Sequence, residues 1–188
     1  LEGKYVIKFD GLMGGKGVRV SGEHLKNISE GLNYANEIIE DGGKFLIEEK
    51  LVGEEFSLMR FVDGKTCKHM PAIQDHKRAF EGDKGPNTGG MGAFSPNPIF
   101  TSQVEKIVLD KIIRPTLLTM ADQGIPFAGV LYAGLMIKDG EPKLIEYNVR
   151  FGDPECQAIM VRIGAQILDI LIDCVDGNSV SYTHLRAH

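Results

Sequence analysis

At 188 residues, with 43% hydrophobic and 25% charged side chains, the chain can bury one well-packed core or two small ones, and nothing in its composition suggests disorder. A net charge of -5 and a pI near 5.6 argue against broad binding to nucleic-acid backbones, so a phosphate ligand has to be held by local design. Cys67, Cys156 and Cys174 show neither CxxC spacing nor an even count, which points to a reducing cytoplasm, and no apolar run reaches the roughly 20 residues that span a bilayer.

Leu1 is not an initiator methionine, no basic-then-apolar leader opens the chain, and Gly3-Lys4-Tyr5-Val6-Ile7 begins within strand-like sequence. The chain therefore reads as a piece of a longer protein. Residues 5–10 predict a strand, 11–17 a glycine-rich loop and 18–20 a returning strand. Ser21 is the expected cap of a helix whose apolar positions Leu25, Ile28, Leu32, Ala35 and Ile39 recur at helical spacing, ended by Asp41-Gly42-Gly43. Phe45 opens a strand that runs into Glu48-Glu49-Lys50-Leu51, and residues 56–62 form another, closed by an Asp63-Gly64 turn.

From Gln74 to Asn97 the sequence carries five glycines and no periodicity, longer than loops usually run without a functional reason. Ser102 and Glu105 predict a capping box for a helix bearing Val104, Ile107, Val108 and Ile112, which Pro115 kinks or divides. Strands over 129–138 and 142–150 follow, joined by Asp139-Gly140. Asp153 as N-cap, with Pro154 at the first helical position, starts a last helix bearing Ile159, Ile163, Ile167, Ile170 and Leu171. Beyond Gly177 the apolar periodicity is lost, and residues 178–188 read as a tail. Hairpin-paired strands interspersed with helices predict an α+β fold with largely antiparallel sheets, not a doubly wound parallel sheet.

Four segments carry chemistry. In Lys8-Phe9-Asp10-Gly11-Leu12-Met13-Gly14-Gly15-Lys16-Gly17 the glycines can turn consecutive N–H groups toward an anion while two lysines add charge, which suits a triphosphate. It lacks P-loop spacing, and taken singly it reads more readily as a hairpin tip. In Glu48-Glu49-Lys50-Leu51, a strand edge can offer backbone groups to an adenine rim, and Glu55 can accept ribose hydroxyls; a solvated acidic turn is the competing reading. Period-two alternation puts Glu146, Asn148 and Arg150 on one strand face and Ile145, Tyr147 and Val149 on the other. A carboxylate and an amide oxygen so spaced can hold Mg²⁺ while phosphates supply the remaining oxygens, although a plain solvent-facing strand looks the same. The long loop concentrates cations, His76 and glycines where a lid or phosphate clamp could form; a zinc site at His76 is not expected.

Taken in order, these segments resemble the phosphoribosylamine–glycine ligase family of the ATP-grasp superfamily. The resemblance runs from about Tyr5 to Gly177. It is most specific in Gln74-Asp75-His76-Lys77-Arg78, Gly85-Pro86-Asn87-Thr88-Gly89-Gly90-Met91-Gly92, Leu131-Tyr132-Ala133-Gly134-Leu135-Met136 and Glu146-Tyr147-Asn148-Val149-Arg150-Phe151-Gly152-Asp153-Pro154-Glu155. It implies an ATP-grasp fold with two α+β subdomains sandwiching ATP: a small subdomain over 1–51 and a central one over 52–177. It further implies that Lys8, Gly14, Gly15, Lys16 and Gly17 hold ATP phosphates, that Glu48, Glu49, Lys50 and Leu51 meet the adenine, and that Glu55 takes the ribose. Arg78 and Asn87 would complete the nucleotide site, Glu146 and Asn148 would bind Mg²⁺ or Mn²⁺, and Arg150 would contact the reacting carboxylate or the phosphate passing to it.

The implied reaction joins glycine to 5-phosphoribosylamine through a glycyl phosphate, releasing ADP and phosphate, in purine biosynthesis. No nucleic acid or membrane partner is expected. Two other readings stay open: a different ATP-grasp carboxylate–amine ligase, since the Glu-x-Asn-x-Arg strand is common across that superfamily, or a truncated module that binds ATP without catalysis. Met13-Gly14 departs from the two alanines more usual in the family.

Overall fold

The computed structural model describes residues 3–13, 16–82 and 84–178. The chain divides into two compact units, Leu1–Leu51 and Val52–His188. Among the described residues no helix is long and apolar enough to cross a membrane.

In the first unit, β1 (Tyr5–Phe9) is central, with β2 (Val18–Val20) and β3 (Phe45–Glu49) antiparallel on either side. Odd-numbered positions of β1 face α1 (Ile28–Glu40), so Ile7 is buried against Leu25 and Ile38 with Tyr5, Phe9, Tyr34 and Phe45 around them. Even-numbered positions, among them Lys8, occupy the other face. The helix differs from the expected one in two ways. Its N-cap is Asn27, whose side chain accepts from Glu30 N–H at 2.9 Å, whereas Ser21 instead accepts from Tyr5 N–H and is buried beside the strands. Its buried stripe is Gly31, Ala35 and Ile38, leaving Ile28, Leu32 and Ile39 exposed. Gly31 is needed because a Cβ there would collide with the Tyr5 phenol.

The second unit is built on a four-stranded antiparallel sheet, ordered β11 (Glu141–Asn148), β10 (Ala128–Lys138), β4 (Glu54–Asp63), β5 (Cys67–His69). Asp63 closes the β4–β5 turn by accepting from Lys65 N–H, Thr66 N–H and the Thr66 hydroxyl. Asp139 and Gly140, both at positive φ, make the β10–β11 turn, as the sequence predicts. Phe56, Leu58, Val62, Leu131, Ala133, Leu135 and Ile137 line one face of the sheet and pack on Val104 and Val108 of α2 (Ser102–Val108) and on Ile113. Met59, Phe61 and Tyr132 line the other and pack on Ile159, Ile163, Ile170 and Cys174 of α4 (Glu155–Ile163) and α5 (Ile167–Val175). Each fully buried Val, Leu, Ile, Phe or Met among them stabilises the fold by about 1.5–3 kcal/mol.

Several boundaries fall elsewhere than the sequence patterns suggest. Thr101, not Ser102, caps α2 through a hydroxyl that accepts from Val104 N–H. A π-helical segment, Leu109–Ile113, leads into α3 (Arg114–Asp122); Pro115 has no N–H to donate, and the wider turn sits where the ordinary ladder would lose that bond. Asp153 does not cap α4; its carboxylate accepts from the Gln157 amide at 2.8 Å, and Pro154 holds the N-cap position. The expected last helix is two, because Gly164 at φ +65 ends α4 and a 3-10 turn, Gly164–Gln166, precedes α5.

Candidate functional site

The segment over 74–97 is not an open loop. β6 (Gln74–Asp75) pairs with β9 (Ala93–Phe94), and inside that ladder β7 (Arg78–Phe80) pairs with β8 (Lys84–Asn87). Arg78 stands opposite Asn87, so the two residues expected to complete a nucleotide site are brought together. The Arg78 guanidinium donates to Gly85 C=O at 3.1 Å. His76 stacks on Phe94, with ring centroids 5.1 Å apart, and forms with Arg78, Phe80, Glu81 and Met91 the wall of a concavity of about 310 Å³. The described residues of this segment form a shaped, cation-bearing surface. The period-two signal was hidden because each ladder is only two to four residues long.

Register across the sheet fixes the strand site. Glu146 lies opposite Gly134, which lies opposite Ser57; Asn148 lies opposite Tyr132. Directly opposed residues share a face, so Glu146, Asn148, Ser57 and Tyr132 all project to the α4–α5 side. Glu55, two residues before Ser57, joins them, its carboxylate accepting from Lys77 Nζ at 3.1 Å. The Asn148 side-chain N–H donates to Glu146 Oε1 at 3.1 Å, which confirms that the two meet. Glu146 is exposed and Asn148 half-buried, while on the opposite face Tyr147 Oη donates to Ile112 C=O and contacts the Thr116 hydroxyl. Burial pushes the Tyr147 hydroxyl up.

The expected alternation fails at both ends of this stretch. A bulge between Gly134 and Leu135 leaves Ile145 without an opposite residue, and β11 stops at Asn148. Val149 is 71% exposed, and Arg150 leaves the strand on a turn, where its guanidinium donates to Phe151 C=O at 2.9 Å. Glu146 and Asn148 are thus a strand-borne pair, and Arg150 is a neighbour in sequence on a different element.

Beside this face sits a buried polar cluster that sequence reasoning missed. Glu155, 2% exposed, accepts at Oε1 from the Ser57 hydroxyl and from the Tyr132 hydroxyl, each at 2.8 Å, and the two hydroxyls lie 2.6 Å apart. Burial pushes the Tyr132 hydroxyl up. Asp75 lies near, with a buried Oδ1 that has no hydrogen-bond partner among the described residues; burial first, then the charge of Glu155, raise its carboxyl to about 6. A signal for Glu155 existed: at i, i+4 and i+8 it lies in line with the core residues Ile159 and Ile163.

Within the first unit, Lys8 on β1 and Glu48 on β3 form an ion pair at 2.5 Å on the face away from α1. Among the described residues β3 is an edge strand of this sheet, next to β1. Lys50 Nζ is turned to Ser21 C=O at 2.9 Å and to Glu23 at 3.2 Å. Glu49 is exposed and Leu51 half-buried. The loop stem is held where Gly17 C=O accepts from Phe9 N–H and the Tyr34 hydroxyl; a Cβ on Gly17 would come within 2.9 Å of Phe9 Cβ, so the close approach demands glycine. Arg19 stacks its guanidinium over the Tyr34 ring and donates to Lys16 C=O at 3.1 Å. Gly14 and Gly15 lie outside the described residues.

Donor chemistry permits a divalent ion at the strand pair. Among the described residues there is no cluster of three or more His, Cys, Asp or Glu side chains able to cage a metal. Glu146 and Asn148 supply two hard oxygens from an accessible position, the donor set Mg²⁺ prefers when phosphates and water complete its octahedron.

Residues 1–156 match the family model described as phosphoribosylglycinamide synthetase, ATP-grasp (A) domain. The chain is 48% identical over 182 residues to a phosphoribosylamine–glycine ligase from Vigna unguiculata, a match covering 94% of this chain and 58% of that protein. It is 45% identical to the Brucella melitensis ligase of the same name, covering 92% of this chain and 40% of the relative. The chain thus spans about half the length of these relatives. A crystal structure of phosphoribosylamine–glycine ligase from Thermotoga maritima superposes with a TM-score of 0.80 at 36% identity, over 93% of this chain and 45% of that one. D-alanine–D-alanine ligase from Bacillus anthracis, complexed with ATP, shares the fold at a TM-score of 0.55 and 18% identity, over 95% of this chain and 54% of that one.

Proposed function

This chain belongs to the phosphoribosylglycinamide synthetase ATP-grasp (A) domain family, and from that premise we propose that the protein carrying it ligates glycine to 5-phosphoribosylamine at the expense of ATP. The observation that carries the proposal is the Glu146–Asn148 pair, in contact on one sheet face within a chain whose long Gln74–Asn97 segment also follows the family. That segment argues against other ATP-grasp carboxylate–amine ligases, because the Glu-x-Asn-x-Arg strand alone is shared among them. For the 188-residue chain by itself the proposal is narrower: it binds ATP.

A carboxylate acylates an amine only after activation. Transfer of the ATP γ-phosphoryl to glycine gives glycyl phosphate and ADP; attack by the amine of phosphoribosylamine then forms the amide and expels phosphate. Phosphoryl transfer of this kind asks for positioning and charge neutralisation, not a protein nucleophile. Lys8, Lys16 and the N–H groups of the loop through Gly17 are assigned to the phosphates, with Gly14 and Gly15 among them. Residues Glu48, Glu49, Lys50 and Leu51 are assigned to adenine, Glu55 to ribose, and Arg78 with Asn87 to the remainder of the nucleotide. Glu146 and Asn148 would hold Mg²⁺ or Mn²⁺, which when bound offsets the charge of the phosphate oxygens. Arg150 presents a guanidinium to the carboxylate or to the phosphoryl group in transit. The 1–51 unit is assigned as the small ATP-grasp subdomain and 52–177 as the central one. The residues from Ser179 on, part of the expected tail, lie outside the described residues.

The test is ADP release by the full-length enzyme. It should require glycine and phosphoribosylamine together; equal turnover with another carboxylate in place of glycine would overturn the substrate assignment.

A further inference from the structure

The Glu155 carboxylate is costly to bury and sits where an apolar side chain would serve stability as well. Its position suggests another use. It lies at the start of α4 and receives hydroxyls from β4 and β10, the Tyr132 of β10 standing opposite Asn148 of β11. Gly152 presses against it so closely that a Cβ there would collide with the carboxylate, and Cys156 N–H donates back to Gly152 C=O at 2.9 Å. One residue earlier, Phe151 sets its ring edge-on to the buried Phe61, with centroids 6.4 Å apart. The two residues that follow Arg150 are therefore both closely packed, Phe151 against Phe61 of the core and Gly152 against the Glu155 carboxylate. The Gln74–Asn97 segment is fitted to the same junction, since a Cβ on Gly90 would come within 2.5 Å of Pro154 Cδ and 3.0 Å of Asp75 Oδ1.

We propose that Glu155 is a positioning residue: its carboxylate, held by Ser57 and Tyr132, fixes the turn that carries Arg150 relative to the strand that carries Glu146 and Asn148. The inference rests on the ligase reading above. Arg150 leaves β11 two residues after Asn148, so no strand ladder holds it in register with the metal pair. The Glu155 junction replaces that ladder with a three-way hydrogen-bonded lock between α4, β4 and β10. Misplacement of a substrate-contacting guanidinium by about 1 Å is enough to cost about a hundredfold in rate.

The experiment is steady-state kinetics of the full-length enzyme with Glu155→Ala, Glu155→Gln and Tyr132→Phe, each scored per ATP-binding site. Wild-type turnover on glycine and phosphoribosylamine is measured first, so that a failure of the ligase reading is seen apart from a failure of this one. Glu155→Ala and Tyr132→Phe should lower kcat about tenfold to a hundredfold, with KM for ATP held within about twofold. Glu155→Gln, equal in shape and still able to accept from both hydroxyls, should recover most of kcat. A kcat unchanged in Glu155→Ala overturns the proposal. So does a loss in Glu155→Ala that Glu155→Gln shares in full, or one that disappears when scored per ATP-binding site.

Discussion

Replacing Glu146 by alanine separates metal binding from folding, because the structure gives this side chain almost nothing to hold up. It is exposed, its carboxylate accepts from the Asn148 amide at 3.1 Å, and across the ladder it faces Gly134, which has no side chain. No cavity opens and no buried partner is stranded, so the cost to stability should stay within about 0.5 kcal/mol, or about 2 °C in Tm for a chain of this size. The effect on ligand binding should be far larger. Loss of a residue that only supports a metal ligand costs about tenfold to a hundredfold in metal affinity, and Glu146 is proposed as one of two protein ligands itself. ATP affinity in excess Mg²⁺ should therefore fall by at least about tenfold, equivalent to about 1.4 kcal/mol. Calorimetric titration of the chain with ATP, in Mg²⁺ and again in EDTA, measures both. Wild type and variant should converge in EDTA, and Glu141→Ala, exposed on the same strand, should behave as wild type. Equal affinities in Mg²⁺ would refute the metal assignment and the strand-face reasoning behind it.

Asp75 supplies a pH dependence. Its carboxyl rises from 3.8 to about 6 on folding, so the folded chain holds that proton more tightly than the unfolded one. Its stabilising contribution is complete below about pH 4 and is lost as pH rises through about 6. Asp75→Asn should gain in Tm relative to wild type between pH 4.5 and 7, and a Tm difference that does not change with pH would contradict the burial argument. Phe61 is fully buried on the face that meets α4 and α5, so Phe61→Ala should cost about 3–5 kcal/mol. Denaturant unfolding reads that directly; a loss below about 1 kcal/mol would mean that this face is loosely packed.

Which residues make strands and turns was legible where the signal is local. The Asp139-Gly140 and Asp63-Gly64 turns need only turn chemistry and periodicity, and the observed turns fall at those places. Burial was less legible. Ile28, Leu32 and Ile39 have the right spacing for a core stripe, yet α1 buries Gly31, Ala35 and Ile38, with the Tyr5 phenol packed against Gly31. Caps went to neighbours, Asn27 in place of Ser21 and Thr101 in place of Ser102, since several side chains nearby are chemically able to cap and only the chain's path selects one.

The sequence by itself determined which donor types this protein has and their spacing along the chain: the carboxylate and amide two residues apart, the glycines beside lysines, the cations of the long segment. Period two sufficed to put Glu146 and Asn148 together, because both lie on one side of the bulge at Gly134. Only the tertiary structure decided that Arg150 sits on a turn rather than in the row, and that Ser57, Tyr132 and Glu155 meet although 98 residues separate the first from the last. The reason is physical. Alternation propagates only while a ladder continues, and a contact between distant strands depends on the register in which they pair, which no short stretch of sequence encodes.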